Sequence, residues 1–210
     1  MGALTEAAPK PLLEIGGELL IERHLRLLKE AGVRQVVINL SYFGEQIRDA
    51  VGDGGRFDLC VDYSEEPDEP LETAGGIIQA LPLLGDQPFL VVNADVVSDF
   101  EFSSLRLRAN AGTLVLVPNP AHQPQGDYGI DPDSLLTIDE PKLTFAGLSL
   151  LSPELFLGLT PGRRPLSQVF DDAIAVGSLS GQIHSGLWID VGTPERLAEA
   201  RAELASHRDA

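Results

Sequence analysis

Cysteine, lysine and long apolar runs are all scarce in this chain of 210 residues. A single cysteine, Cys60, excludes an internal disulfide framework and a cysteine-built zinc site. No apolar run reaches the roughly 18 residues of a membrane-spanning helix. The N-terminus lacks the basic start and apolar centre of a secretory signal, which gives a cytoplasmic expectation. Positive charge is short as well: 15 Lys and Arg stand against 32 Asp and Glu, for a net charge of -17. Lys10, Lys29 and Lys142 are the only lysines. A general nucleic-acid binder needs a basic face to displace counterions, so that class is excluded, and nothing points to a membrane partner. A nucleotide ligand stays open, because a divalent cation and a few local donors offset phosphate charge. Also missing is any strand and glycine-rich phosphate loop ahead of Pro9-Lys10-Pro11-Leu12.

What is present alternates between helical and strand patterns. Leu20, Ile21, His24, Leu25, Leu27 and Leu28 recur near helical spacing and predict a helix over 19–31. Further helices are predicted over 44–51, 73–84, 105–109, 167–176 and 193–206. In the last of these, Thr193 is the cap and Pro194 the first helical position. Strands are predicted over 33–39, 59–63, 89–93, 112–117, 135–138, 143–151 and 182–189. The order predicts one α/β domain over residues 1–210, built on a doubly wound, mostly parallel sheet.

Two aspartates stand at the ends of apolar runs: Asp95 closes Phe89-Leu-Val-Val-Asn-Ala-Asp95, and Asp190 follows Leu187-Trp-Ile. Ligands of open α/β sheets gather at the carboxyl ends of strands. Two such carboxylates converging on one Mg²⁺ and its phosphates is the functional reading. An Asx turn at Asp95 and a plain strand–turn–helix junction at Asp190 are the structural readings. Lys10, fixed between two prolines, offers a point charge to phosphate or makes an ordinary surface turn. Pro70-Leu-Glu-Thr-Ala-Gly-Gly76 opens a helix whose free N–H groups suit an acceptor, or it is a helix start capped by Thr73. Gly126-Asp-Tyr-Gly129, Glu140-Pro-Lys142 and Phe145-Ala-Gly147 offer a wall for a second substrate, or turns and a strand pair.

The order of these motifs resembles that of the sugar-1-phosphate nucleotidylyltransferases. Pro9-Lys-Pro-Leu12 is similar to their lysine segment, Leu71-Glu-Thr-Ala-Gly-Gly76 to their base-binding segment, and Val92-Asn-Ala-Asp95 and Trp188-Ile-Asp-Val-Gly-Thr-Pro194 to their two metal segments. Within the family, Pro70-Leu-Glu-Thr73, Ala80-Leu-Pro-Leu-Leu-Gly-Asp86 and Leu143-Thr-Phe145 resemble the short bacterial enzymes that join N-acetylmuramate 1-phosphate to UTP in peptidoglycan recycling. Mannose-1-phosphate guanylyltransferases share much of the pattern. The resemblance implies a nucleotide-diphospho-sugar transferase fold, with residues 1–118 as the nucleotide-binding half and 119–210 as the sugar-phosphate half. It implies nucleotidyl transfer with release of pyrophosphate and Mg²⁺ as cofactor. Lys10, Asp95 and Asp190 would be catalytic, the two aspartates as metal ligands. Leu71, Glu72, Thr73, Ala74, Gly75 and Asn93 would bind the nucleotide. Tyr128, Gly129, Glu140, Lys142 and Gly147 would bind the sugar phosphate. The oligomeric state stays open.

The chain departs from the family pattern at its start. Residues 1–5 align with the tail of the phosphate-loop motif without its arginine and proline, so about 15–20 residues, one strand plus a loop, are expected to be missing. The strands near Val36 and Leu90 would then lack their shared neighbour, and turnover is expected to be poor. A non-catalytic sugar-phosphate or nucleotide binding module is the competing reading. A metal-dependent glycosyltransferase ranks last, since it leaves Lys10 and Thr73-Ala-Gly-Gly76 without a role.

Overall fold

The computed structural model describes residues 9–67 and 69–206, so residues 1–5 lie outside the described residues. Pro9 and Pro11 set a 3₁₀ turn over Lys10–Leu12, as two fixed φ angles should. A tight antiparallel hairpin follows, β1 (Glu14–Ile15) with β2 (Glu18–Leu19). The first helix, α1 (Leu20–Glu30), buries Leu20, Ile21, His24, Leu25 and Leu28 along one face, the stripe that the sequence spacing predicts. Its start is tied by the Leu19 N–H, which donates to the Glu22 carboxylate at 3.1 Å. Next come β3 (Gln35–Leu40), α2 (Gly44–Val51) and β4 (Cys60–Glu65), with β4 parallel to β3. The chain continues through α3 (Glu72–Leu84), β5 (Phe89–Val92), β6 (Val96–Ser98), β7 (Gly112–Val117), β8 (Gly129–Ile130), β9 (Leu136–Thr137) and β10 (Thr144–Leu151). It ends with α4 (Leu166–Ala175), β11 (Leu179–Ile183), β12 (Trp188–Asp190) and α5 (Pro194–Ser206).

These elements form two compact units, each discontinuous in sequence. The first takes the described residues up to Glu65, Asn93–Ser103 and those from Leu187 onward; the second takes Glu66–Val92 and Ser104–Gly186. In the first, one apolar cluster joins α1 to β4 through Ile21, Leu25, Ile47, Val51 and Val61. Another joins Leu13 and Ile15 to Val97, Ile189, Val191, Leu197 and Ala200. That second cluster fastens the N-terminal turn, β6, β12 and α5 to one another. The second unit is built on a four-stranded sheet in the order β11–β7–β10–β5. Every residue of β7 is buried, which fits a central strand. A hydroxyl pair inside this sheet, Thr113 and Ser180, is satisfied by a 2.8 Å hydrogen bond.

The α/β class agrees with the sequence reading, and the sheet is mixed: β11 runs parallel to β7, while β10 runs against both β7 and β5. Among the described residues β3 pairs only with β4, and β5 only with β10.

Three local expectations are corrected. Residues 105–109 are not helical. The Thr113 hydroxyl donates to the Arg106 carbonyl at 2.7 Å and accepts the Arg108 N–H at 3.2 Å, taking up backbone groups that a helix needs. The strand predicted over 182–189 is two strands, β11 on β7 and β12 on β6, because the chain passes from one unit to the other between Gly186 and Leu187. Thr73 does not cap α3: the helix starts at Glu72, and its N-cap position is Leu71.

Candidate active site

Lys10, Asp95 and Asp190 all belong to the first unit. Asp95 lies in the turn between β5 and β6, closed by the Val96 N–H donating to the Asn93 carbonyl at 3.2 Å. Antiparallel pairing of β12 with β6 sets Asp190 opposite Val96. One step further on, the Val191 N–H donates to the Asp95 carbonyl at 2.7 Å. Two aspartates far apart in sequence thus stand at the same end of one strand pair. Each carboxylate has a cation: Lys10 Nζ is 2.8 Å from Asp95 Oδ2, and Arg196 Nη1 is 3.1 Å from Asp190 Oδ1. Thr193 holds the first turn of α5, accepting the Arg196 N–H at 3.3 Å, so the predicted cap also positions the partner of Asp190.

Among the described residues no set of three or more His, Cys, Asp and Glu side chains makes a metal cage. Mg²⁺ does not need one: it takes one or two carboxylates and fills its remaining positions with water and substrate phosphates. Two half-exposed aspartates, offering hard oxygen donors from one strand-pair end, fit that chemistry.

His24 of α1 is buried beside the turn that carries Asp95. Burial, helped by the Arg23 charge, pushes its pKa down to about 4, against the opposing pull of the Ala94 and Val96 backbone and of Asp95. The ring is therefore neutral at physiological pH, and it packs beneath the turn without adding charge there.

Leu71–Gly75 belong to the second unit, and Asn93 to the first. The start of α3 is bound by a distant segment of the same unit. The Arg164 carbonyl accepts the Ala74 N–H at 3.1 Å and the Gly75 N–H at 3.3 Å, while the Arg164 N–H donates to the Leu71 carbonyl at 2.9 Å. Arg163 adds an ion pair to Glu72 at 2.6 Å. Gly75 is required sterically: a Cβ there would lie 2.4 Å from the Gly162 carbonyl oxygen and 2.9 Å from Leu71 Cβ. Glu72 has a φ of 58°, a left-handed conformation that costs about 1–3 kcal/mol in a non-glycine residue and gathers at ligand-binding turns. The N–H groups of Ala74 and Gly75, read from the sequence as free for an acceptor, are already engaged.

Tyr128, Gly129, Glu140, Lys142 and Gly147 all lie in the second unit. Tyr128 and Lys142 line one cavity of about 650 Å³, together with Asp127, Asp139 and Asp171. Gly129, Glu140 and Gly147 are not part of its lining. Burial, then Asp171 and Asp127, push the Tyr128 hydroxyl well above the usual phenol range, so it stays a proton donor. Asp127 is fixed by Gln123 Nε2 at 2.8 Å and by the Phe145 N–H at 2.7 Å. The Glu140 carboxylate accepts the Lys142 N–H at 3.0 Å, so Pro141 leaves the two residues locally linked. Gly147 sits at φ 74° where the β10–β7 register shifts, a bulge that a side chain would strain.

The sequence reading missed His24, Asp171, Arg196 and the Gly162–Arg164 segment as neighbours of these residues, while Asp127 lay within the predicted Gly126-Asp-Tyr-Gly129 wall. Only Arg196 carried a signal, since it lies three residues after a strong helix cap.

The pattern of the nucleotidyl transferase family matches residues 2–134. The chain is 46% identical to an N-acetylmuramate alpha-1-phosphate uridylyltransferase of Neisseria meningitidis, across 96% of this chain and 92% of that protein. It is 30% identical to a protein of the same name from Caulobacter vibrioides, across 98% of this chain and 92% of that one. Among solved structures it is similar to a Bacillus anthracis protein assigned as a glucose-1-phosphate thymidylyltransferase, with a TM-score of 0.85 over 97% of this chain and 89% of the other. At 17% identity that likeness is one of fold.

Proposed function

Because the chain belongs to the nucleotidyl transferase family, we propose that it transfers the uridylyl group of UTP to N-acetylmuramate 1-phosphate, releasing pyrophosphate. The observation that carries this reading is the 46% identity to the Neisseria meningitidis enzyme, which spans nearly all of both chains. The reading carries with it a cytoplasmic location.

A sugar-phosphate oxygen attacks the α-phosphorus of UTP, the bond to the β-phosphate oxygen breaks, and pyrophosphate leaves. The chemistry asks for position and charge neutralisation rather than a nucleophilic side chain. Asp95 and Asp190 would hold a Mg²⁺, which supplies positive charge at the phosphates when bound. Lys10 exchanges its contact with Asp95 for a phosphate oxygen, a role that suits a compact ammonium. Leu71–Gly75 and Asn93 take the nucleotide. Since the Arg164 backbone already engages the Leu71 carbonyl and the Ala74 and Gly75 N–H groups, base recognition falls on the Glu72 and Thr73 side chains. Tyr128, Gly129, Glu140, Lys142 and Gly147 take the sugar phosphate, with the Tyr128 hydroxyl donating to a sugar oxygen.

The test is pyrophosphate release by the purified chain with UTP and N-acetylmuramate 1-phosphate, with and without a chelator, beside GTP and mannose 1-phosphate. Chelator-sensitive release with the first pair is the expected result. Preference for the second pair would favour guanylyl transfer. Binding of sugar phosphate with no release from either pair would favour the non-catalytic module.

A further inference from the structure

A second cavity in the second unit, of about 360 Å³, takes its lining mostly from residues that the proposed reaction does not use. Arg164 lines it. Its Nε is buried beyond a ligand's reach, and among the described residues its guanidinium has no ion-pair partner, so its charge is left unmatched. Glu154 and Asp172 line the same cavity, yet among the described residues neither forms an ion pair with Arg164. The guanidinium fork suits a carboxylate. The two carboxylates suit an ammonium. A simple anion would meet Glu154 and Asp172, and a simple cation would meet Arg164. A ligand bearing both charges satisfies both ends. Leu155, Leu159 and Val169 supply the remaining apolar wall.

We propose that this cavity binds a small aliphatic α-amino acid as its zwitterion. The carboxylate is held by Arg164, the ammonium by Glu154 and Asp172, and the alkyl group lies against Leu155, Leu159 and Val169. Such a ligand reaches the start of α3 through one residue, because the Arg164 backbone is bonded to Leu71, Ala74 and Gly75. That link makes the ligand a regulator only if Leu71–Gly75 bind nucleotide as proposed above; the binding itself does not depend on it.

Isothermal calorimetry of the full chain, without nucleotide, tests the site with L-alanine, L-valine and L-leucine. Isovalerate and isobutylamine serve as half-ligands, each carrying one of the two charges. Single-site binding by at least one amino acid, weakened about tenfold or more in both half-ligands and in Arg164→Met, is the expected result. No heat from any amino acid up to about 10 mM, or half-ligands that bind as well as the whole, overturns the proposal. If Arg164→Met fails to fold, Asp172→Asn, at an exposed position of α4, takes its place: weaker binding supports the site and unchanged binding overturns it.

Discussion

Lys10 Nζ lies 2.8 Å from Asp95 Oδ2, so the lysine marked in the sequence as a phosphate partner rests against the carboxylate marked as a metal ligand. The contact joins the N-terminal turn to the turn that precedes β6. Their side chains are 36% and 31% exposed, so the ion pair adds little to stability and is easily exchanged for substrate.

Lys10→Met separates these roles. Urea unfolding should shift by less than about 1 kcal/mol, as for a solvent-screened pair. Turnover should fall by about 10²-fold or more, as for loss of a charge acting on the transferring phosphates. A large stability loss with proportionate activity would make the lysine structural.

Gly75→Ala places a methyl group 2.4 Å from the Gly162 carbonyl oxygen, and a backbone atom does not yield cheaply. The variant should lose about 1–3 kcal/mol of stability. Nucleotide KM should rise with it, because the same shift opens the Arg164 bonds to Ala74 and Gly75. An unchanged melting temperature would show that the two segments separate freely.

His24 sets a pH dependence of stability. Its folded pKa of about 4 lies below the ordinary histidine value of 6.5, so the unfolded chain takes up the proton first as pH falls. The contribution is complete above pH 6.5 and is lost as pH drops toward 4. The loss amounts to roughly 3 kcal/mol by linkage. Urea titrations of the protein and of His24→Leu at pH 7.5 and 4.5 should show the variant losing less over that interval. Parallel losses would remove His24 as the cause.

Thr113→Val deletes the buried hydroxyl that bonds Ser180 and the Arg106 carbonyl. The isosteric change should cost about 1–3 kcal/mol, since it leaves buried polar groups unmet. It should also release residues 105–109 from β7, seen as faster amide exchange at Arg108. Protection at Arg108 that survives the substitution would show that another contact fixes this segment.

Periodicity made α1, α2 and α4 legible to within a residue or two, because their buried faces recur at helical spacing. It failed where a long-range bond decides the conformation. Residues 105–109 have helical composition, but the Thr113 hydroxyl claims their backbone. The start of α3 looked self-capped, but its donors go to Arg164, which lies almost ninety positions later. The apolar run over 182–189 gave no sign that it serves two units. Of the candidate site, the strand-end aspartates and the constrained lysine were visible because each carries a local pattern. Arg163 and Arg164 were invisible, because nothing in a short polar stretch announces which helix it will tie down.

The first unit is assembled from segments at both ends of the sequence, with Lys10 in one and Asp190 in another. During synthesis the early part must therefore wait, its Val97-side cluster half built, until Ile189, Val191 and Leu197 emerge to complete it. A ribosome stalled before that point would release a product with Asp95 but without Asp190, and with no partner strand for β6. A chain cut short at its end would thus leave unfinished a unit that begins near its start.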